Sequence, residues 1–227
     1  IEKAATELGV QAMAVDLKSV GDALQLKPMR VALWDQYGGS MPSGWTRWLL
    51  EQFEFPFEVV YPQQIDAGAL REKYDAIIFV NGAIPLPKSL GGTNPRLSEF
   101  FVKTPVGDDL PAEFRGWTGT ITEEKSIPAL RQFAEQGGTI ITIGTSTNLA
   151  YHLGVPVRSA LVEMGPQGRE QRLPREKYYV PGSILSAAVD PTAPLAWGLE
   201  AKADVYFDNS PVFKLLPDAV AKGVRPI

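Results

Sequence analysis

Short apolar runs alternate along this chain with stretches of helical periodicity, an order that only a parallel sheet with helical crossovers satisfies. Residues 30–35, Arg-Val-Ala-Leu-Trp-Asp, read as a buried strand closed by the turn-rich segment 36–44. Trp45, Trp48, Leu49, Gln52 and Phe53 then recur three or four apart, which predicts a helix with an aromatic inner face, and Ser43 is placed to cap it. A strand at 57–61 completes a βαβ unit. The same reasoning predicts a short helix at 66–74, a third strand at 75–80, and an amphipathic helix at 124–136 ended by Gly137 and Gly138. A fourth strand at 139–143 runs into Gly144, Thr145, Ser146, Thr147 and Asn148, followed by a helix carrying Leu149, Ala150 and Leu153. Right-handed crossovers place helices on both faces, so the expected fold is an open, doubly wound, mostly parallel α/β sheet.

Three regions depart from that rhythm. Residues 1–27 begin at helical spacing, end in alternation at Val10, Met13 and Val15, and then turn polar; they read as the tail of an upstream domain plus a linker, with the α/β domain at 28–227. Residues 82–118 are rich in Gly, Pro and Asn and too long for a simple connection, so they read as an insertion near the carboxyl edge of the sheet, where pockets form. Beyond Pro156 the pattern turns to short strands at 178–180, 183–189, 204–207 and 212–215, expected as partly antiparallel edge strands.

Composition narrows the chemistry. Lys and Arg total 22 against 26 Asp and Glu, a net charge of −4 with no long run of either sign, so a nucleic-acid partner is not expected. No apolar stretch reaches the roughly 20 residues of a membrane span. There is no cysteine, and His152 is the one histidine, which excludes thiolate metal sites, a cysteine nucleophile and most zinc and triad chemistry. Ser146 holds the position of a nucleophile, at a tight turn between strand and helix, but Asn148 stands where the elbow motif has glycine. His152 lies about 9 Å further along the same predicted helix and is assigned no catalytic role. The alternative is that Thr145 or Ser146 caps the helix. Asp35, Gln36 and Tyr37 follow the first strand, Asn81 the third, and Asp208, Asn209 and Ser210 a later one, so they are candidates for one ligand-binding rim. The aromatic set Trp34, Trp45, Trp48, Phe53, Phe55 and Phe57 reads as core, as do Tyr206, Phe207 and Phe213. No dinucleotide or phosphate-loop pattern occurs.

Several segments together resemble a known family: residues 30–35, Gly-Trp-Thr-Arg-Trp-Leu-Leu-Glu-Gln-Phe-Glu-Phe-Pro-Phe at 44–57, Gly-Gly-Thr-Ile-Ile-Thr-Ile at 137–143, Val-Pro-Gly-Ser-Ile-Leu at 180–185, Pro-Leu-Ala-Trp-Gly at 194–198 and Phe-Asp-Asn-Ser-Pro at 207–211. They look like the C-terminal region of large bacterial zinc carboxypeptidase-like proteins, a region similar to class I glutamine amidotransferase domains of flavodoxin-like architecture. The resemblance implies a secreted or periplasmic parent whose zinc belongs to a separate N-terminal metallopeptidase domain, the partner of this one. The peptidase His-x-x-Glu signature does not occur here, and neither do the amidotransferase cysteine and His-x-Glu pair. The expectation is a non-catalytic accessory domain, without a cofactor of its own, for interdomain packing, substrate presentation or ligand binding. The alternatives are a serine hydrolase using Ser146 with Asp208 or another carboxylate, and a sugar- or peptide-binding module at the carboxyl edge lined by Asp35, Tyr37, Asn81 and Asp208.

Overall fold

After an exposed helix α1 (Glu2–Leu8), the apolar run at 31–34 forms β1 (Val31–Trp34), with Ala32, Leu33 and Trp34 buried. The computed structural model describes residues 2–11, 13, 28–92, 110–166, 168, 170–208 and 210–227. Helix α2 (Met41–Gln52) leads from β1 to β2 (Phe57–Val60), and α3 (Pro62–Asp66) and α4 (Leu70–Lys73) lead on to β3 (Ala76–Phe79). Helix α5 (Ser126–Glu135) enters β4 (Thr139–Thr142), and α6 (Leu149–Leu153) follows it. The four strands make an all-parallel sheet in the order β2-β1-β3-β4, with Leu33 opposite both Val59 and Ile78 and Ile77 opposite Ile140. The expected mixed α/β architecture is present.

Burial follows position in the sheet. β3 is buried along its whole length, as a central parallel strand must be, whereas the outer strand β4 leaves Ile141 42% exposed. Helix α5 presents Ile127, Leu130 and Phe133 to the core on one stripe, where Ile65, Leu70 and Tyr74 join them. α3 and α4 both pack on α5. The strand order steps outward in opposite directions from β1 and β3, so right-handed crossovers set α2 on one face of the sheet and α3 to α5 on the other.

Several expectations need correction. The aromatic stripe of α2 faces outward: Trp45 is 63% exposed, Trp48 50% and Phe53 71%, and Phe55 beyond the helix is exposed too. Ser43 is the buried residue of α2, and Leu50 packs against the core from the same face seven residues on. The helix meets β1 through this face, and periodicity marks a stripe without saying what it faces. The N-cap is Ser40, whose hydroxyl accepts from the Ser43 amide at 3.2 Å. Of the helix expected at 66–74 only the turn of α4 (Leu70–Lys73) forms; α3 already ends at Asp66, and Gly68 and Ala69 take positive φ between the two.

The C-terminal strands do not extend the main sheet. β5 (Val157–Ser159), β6 (Val162–Met164), β7 (Glu170–Arg172), β8 (Ser183–Ala188), β9 (Lys202–Phe207) and β10 (Phe213–Leu215) form three antiparallel pairs, β5 with β10, β6 with β7 and β8 with β9. Residues 178–180 are not a strand; Tyr179 instead lies under the Arg175 guanidinium, 3.9 Å from its ring centroid. Tyr206, read as core, is 74% exposed. Parts of the segment of alternation at Val10, Met13 and Val15 and of the insertion at 82–118 lie outside the described residues.

At the amino edge, Asp75 ties β1 to β3. Its carboxylate accepts from the Arg30 amide at 3.0 Å, from the Arg30 guanidinium at 2.9 and 3.0 Å, and from Arg71. These hydrogen bonds, from Arg30 first, hold the Asp75 carboxyl well below the usual carboxylate range. A depressed folded-state value means that this stabilisation is present above the unfolded value of about 4 and drains away as pH falls below it. Urea unfolding from pH 7 down to pH 3 should show stability dropping over that lower range, and Asp75→Asn should be weaker at pH 7 with a flatter acid limb.

Candidate functional site

In a parallel sheet every strand delivers its following loop to the same edge, and two structures are built there. The first joins the loops after β3 and β4. Gly144 has φ +59°, and a Cβ there would sit 2.4 Å from Asn81 Oδ1. This close approach lets Asn81 Oδ1 accept from the Thr145 amide at 2.8 Å and from its hydroxyl at 2.9 Å, while Thr145 Oγ1 accepts from the Gly82 amide at 2.9 Å. Ser146 is fully buried beneath them. Its Oγ accepts from the Ala83 and Ile84 amides at 3.0 and 3.1 Å and donates to the Val80 carbonyl at 2.5 Å.

A hydroxyl has one proton and two lone pairs, and here all three are directed at backbone groups. Such an oxygen neither faces a substrate nor touches a base. It also caps no helix; it braces one loop against another. His152 Nε2 lies 2.8 Å from the Pro85 carbonyl, which only accepts, so that nitrogen carries the proton and donates it. Among the described residues no three His, Asp or Glu side chains stand together in a group that could hold a metal ion.

The second structure is a cleft of about 400 Å³ at the carboxyl ends of β1 and β2. Asp35 follows β1 directly and is only 4% exposed; Oδ1 accepts from the Gln36 amide at 2.8 Å. The loop that follows, with Tyr37 and the positive-φ pair Gly38 and Gly39, forms one wall, held by the Gln36 side-chain amide donating to the Gly39 carbonyl. Tyr61, just past β2, forms the floor with Trp117, stacked at 4.6 Å between centroids and 7° between planes. Phe114 packs edge-on against Trp117 at 4.9 Å and against Tyr37 at 6.4 Å. Phe114 and Trp117 belong to the 3₁₀ segment Ala112–Trp117, which Gln63 of α3 anchors by donating to the Arg115 carbonyl at 2.7 Å and to Thr118 Oγ1 at 2.9 Å. Arg47, exposed on α2, closes the rim. Burial, together with the Asp35 charge, raises the Tyr61 phenol above its ordinary range, and Arg47 opposes the shift.

The expected rim residues thus separate. Asp35 and Tyr37 line the cleft; Asn81, Thr145 and Ser146 form the brace; Asp208 sits at the end of β9 and lines no part of the cleft; Asn209 lies outside the described residues. Arg47, Tyr61, Phe114 and Trp117 are the cleft residues that sequence reasoning missed. A usable signal existed for two of them: aromatics three apart inside an insertion already assigned to the carboxyl edge.

Replacing Ser146 by Ala leaves two buried amides without an acceptor, and chemical denaturation should show a loss of roughly 1–3 kcal/mol for each amide left unpaired. Comparison with known proteins finds no matching family model, no similar curated protein and no similar solved structure.

Proposed function

We propose that this chain is a non-catalytic, ligand-binding accessory domain of amidotransferase-like, flavodoxin-like type, serving a secreted or periplasmic zinc carboxypeptidase-like parent by presenting ligand beside its catalytic domain. The observation that carries the binding role is the cleft. Four aromatic rings, a buried carboxylate and a guanidinium converge on a volume within the roughly 300–1,000 Å³ of small-ligand sites. The lack of catalysis is supported by Ser146, whose hydroxyl is buried and committed to backbone partners on every side. A nucleophile would have to break that brace before it could act.

Trp117 is 38% exposed and stacked on Tyr61, so a ligand entering the cleft should alter indole emission. Titrating the chain with short peptides and with oligosaccharides should give a saturable fluorescence change that Trp117→Ala abolishes, while ester and peptide substrates remain uncleaved. Hydrolysis lost on Ser146→Ala, or no saturable ligand among these classes, would overturn the reading.

A further inference from the structure

The cleft contains a carboxylate that no charged side chain among the described residues pairs with. Asp35 is more than nine-tenths buried, yet its one hydrogen-bond partner among the described residues is the neutral Gln36 amide on Oδ1; Oδ2 has none, and no Lys, Arg or His forms an ion pair with it. A carboxylate withdrawn from water in this way lacks its complement, and the surrounding ring faces, electron-rich at their centres, favour a cation. Arg47, at the rim, likewise has no ion pair or hydrogen bond among the described residues. Its planar donors match a carboxylate.

We propose that the cleft takes a short peptide by its two charged ends, the terminal ammonium against Asp35 and the terminal carboxylate against Arg47, with the aromatic rings against the chain between. This rests on the cleft being a binding site. A neutral saccharide would stack on the rings and hydrogen-bond to Asp35, but it would leave the buried negative charge uncompensated and make no ionic use of Arg47. A phosphate ester would set its own negative charge against Asp35.

The test is isothermal titration calorimetry of the full chain at low ionic strength with trialanine, its N-acetylated form, its C-amidated form and chitotriose. The expected result is that free trialanine binds, that blocking its amino end weakens it by about tenfold or more, as loss of a desolvated charge pair does, and that blocking its carboxyl end weakens it by less, since Arg47 is exposed at the rim. Asp35→Asn should weaken the free peptide while leaving the N-acetylated form unchanged, and Arg47→Gln should do the same with respect to the C-amidated form. The blocked peptides probe the wild-type chain, so the outcome does not depend on either variant folding. N-acetylated and free peptide binding equally, or chitotriose binding with no peptide doing so, would overturn recognition of the ends while leaving the cleft as a binding site. No binding by any of the four ligands would overturn the cleft itself.

Discussion

Four strands running the same way put all their amino ends on one edge and all their carboxyl ends on the other, and most of what distinguishes this molecule follows from that. The order β2-β1-β3-β4 makes the chain leave β1 in one direction and β3 in the other, so the loops behind these two strands separate where the crossovers diverge. Behind β3 the gap is closed by polar atoms: Ser146 beneath, Asn81 and Thr145 above. Behind β1 it stays open, because Asp35 and its glycine-containing loop meet an aromatic segment held off by Gln63. One side of the divergence is braced and the other is hollow.

The two aspartates that flank β1 in space show how differently the edges are used. Asp75, at the amino edge, is surrounded by donors from Arg30 and Arg71, and its charge is spent on holding strands together. Asp35, at the carboxyl edge, is more deeply buried and has a single neutral donor. Burying an unpaired carboxylate is costly unless something from outside completes it. The outward stripe of Trp45 and Trp48 on α2, continued by Phe53 at its C-cap, is a second unsatisfied feature, apolar this time, with no packing partner among the described residues sufficient to bury it.

Much of the sheet was legible from residue order alone. β1, β2, β3 and β4 lie within the apolar runs that suggested them, and α5 lies within its amphipathic stretch, because a buried parallel strand and a one-faced helix each carry a periodic signature. Orientation was not legible. Helical spacing identified the α2 stripe but not the direction it faces, which shows only in the burial of Ser43 and the packing of Leu50 against the core. Of the C-terminal strands β8, β9 and β10 overlap the runs that suggested them, whereas β5, β6 and β7, three residues each, carry too short a pattern to read; pairing is a relation between distant segments, and β5 with β10 or β8 with β9 has no local signal. The strand-end polar residues were read as one rim, and the structure separates them, since nothing in sequence distinguishes an asparagine that clamps a turn from an aspartate that lines a cleft.

What the sequence by itself determined is the inventory: a parallel α/β sheet, a serine at the turn after its fourth strand, a single histidine and no cysteine, and so a narrow range of chemistry. Those are matters of composition and local periodicity, which short-range sterics and hydrophobic patterning settle. The tertiary structure alone decided that the serine hydroxyl is consumed by three backbone groups and that Tyr61, Phe114 and Trp117 stand around a buried Asp35. Each depends on segments more than fifty residues apart meeting within a few ångströms, a distance that exists only after the crossovers have closed.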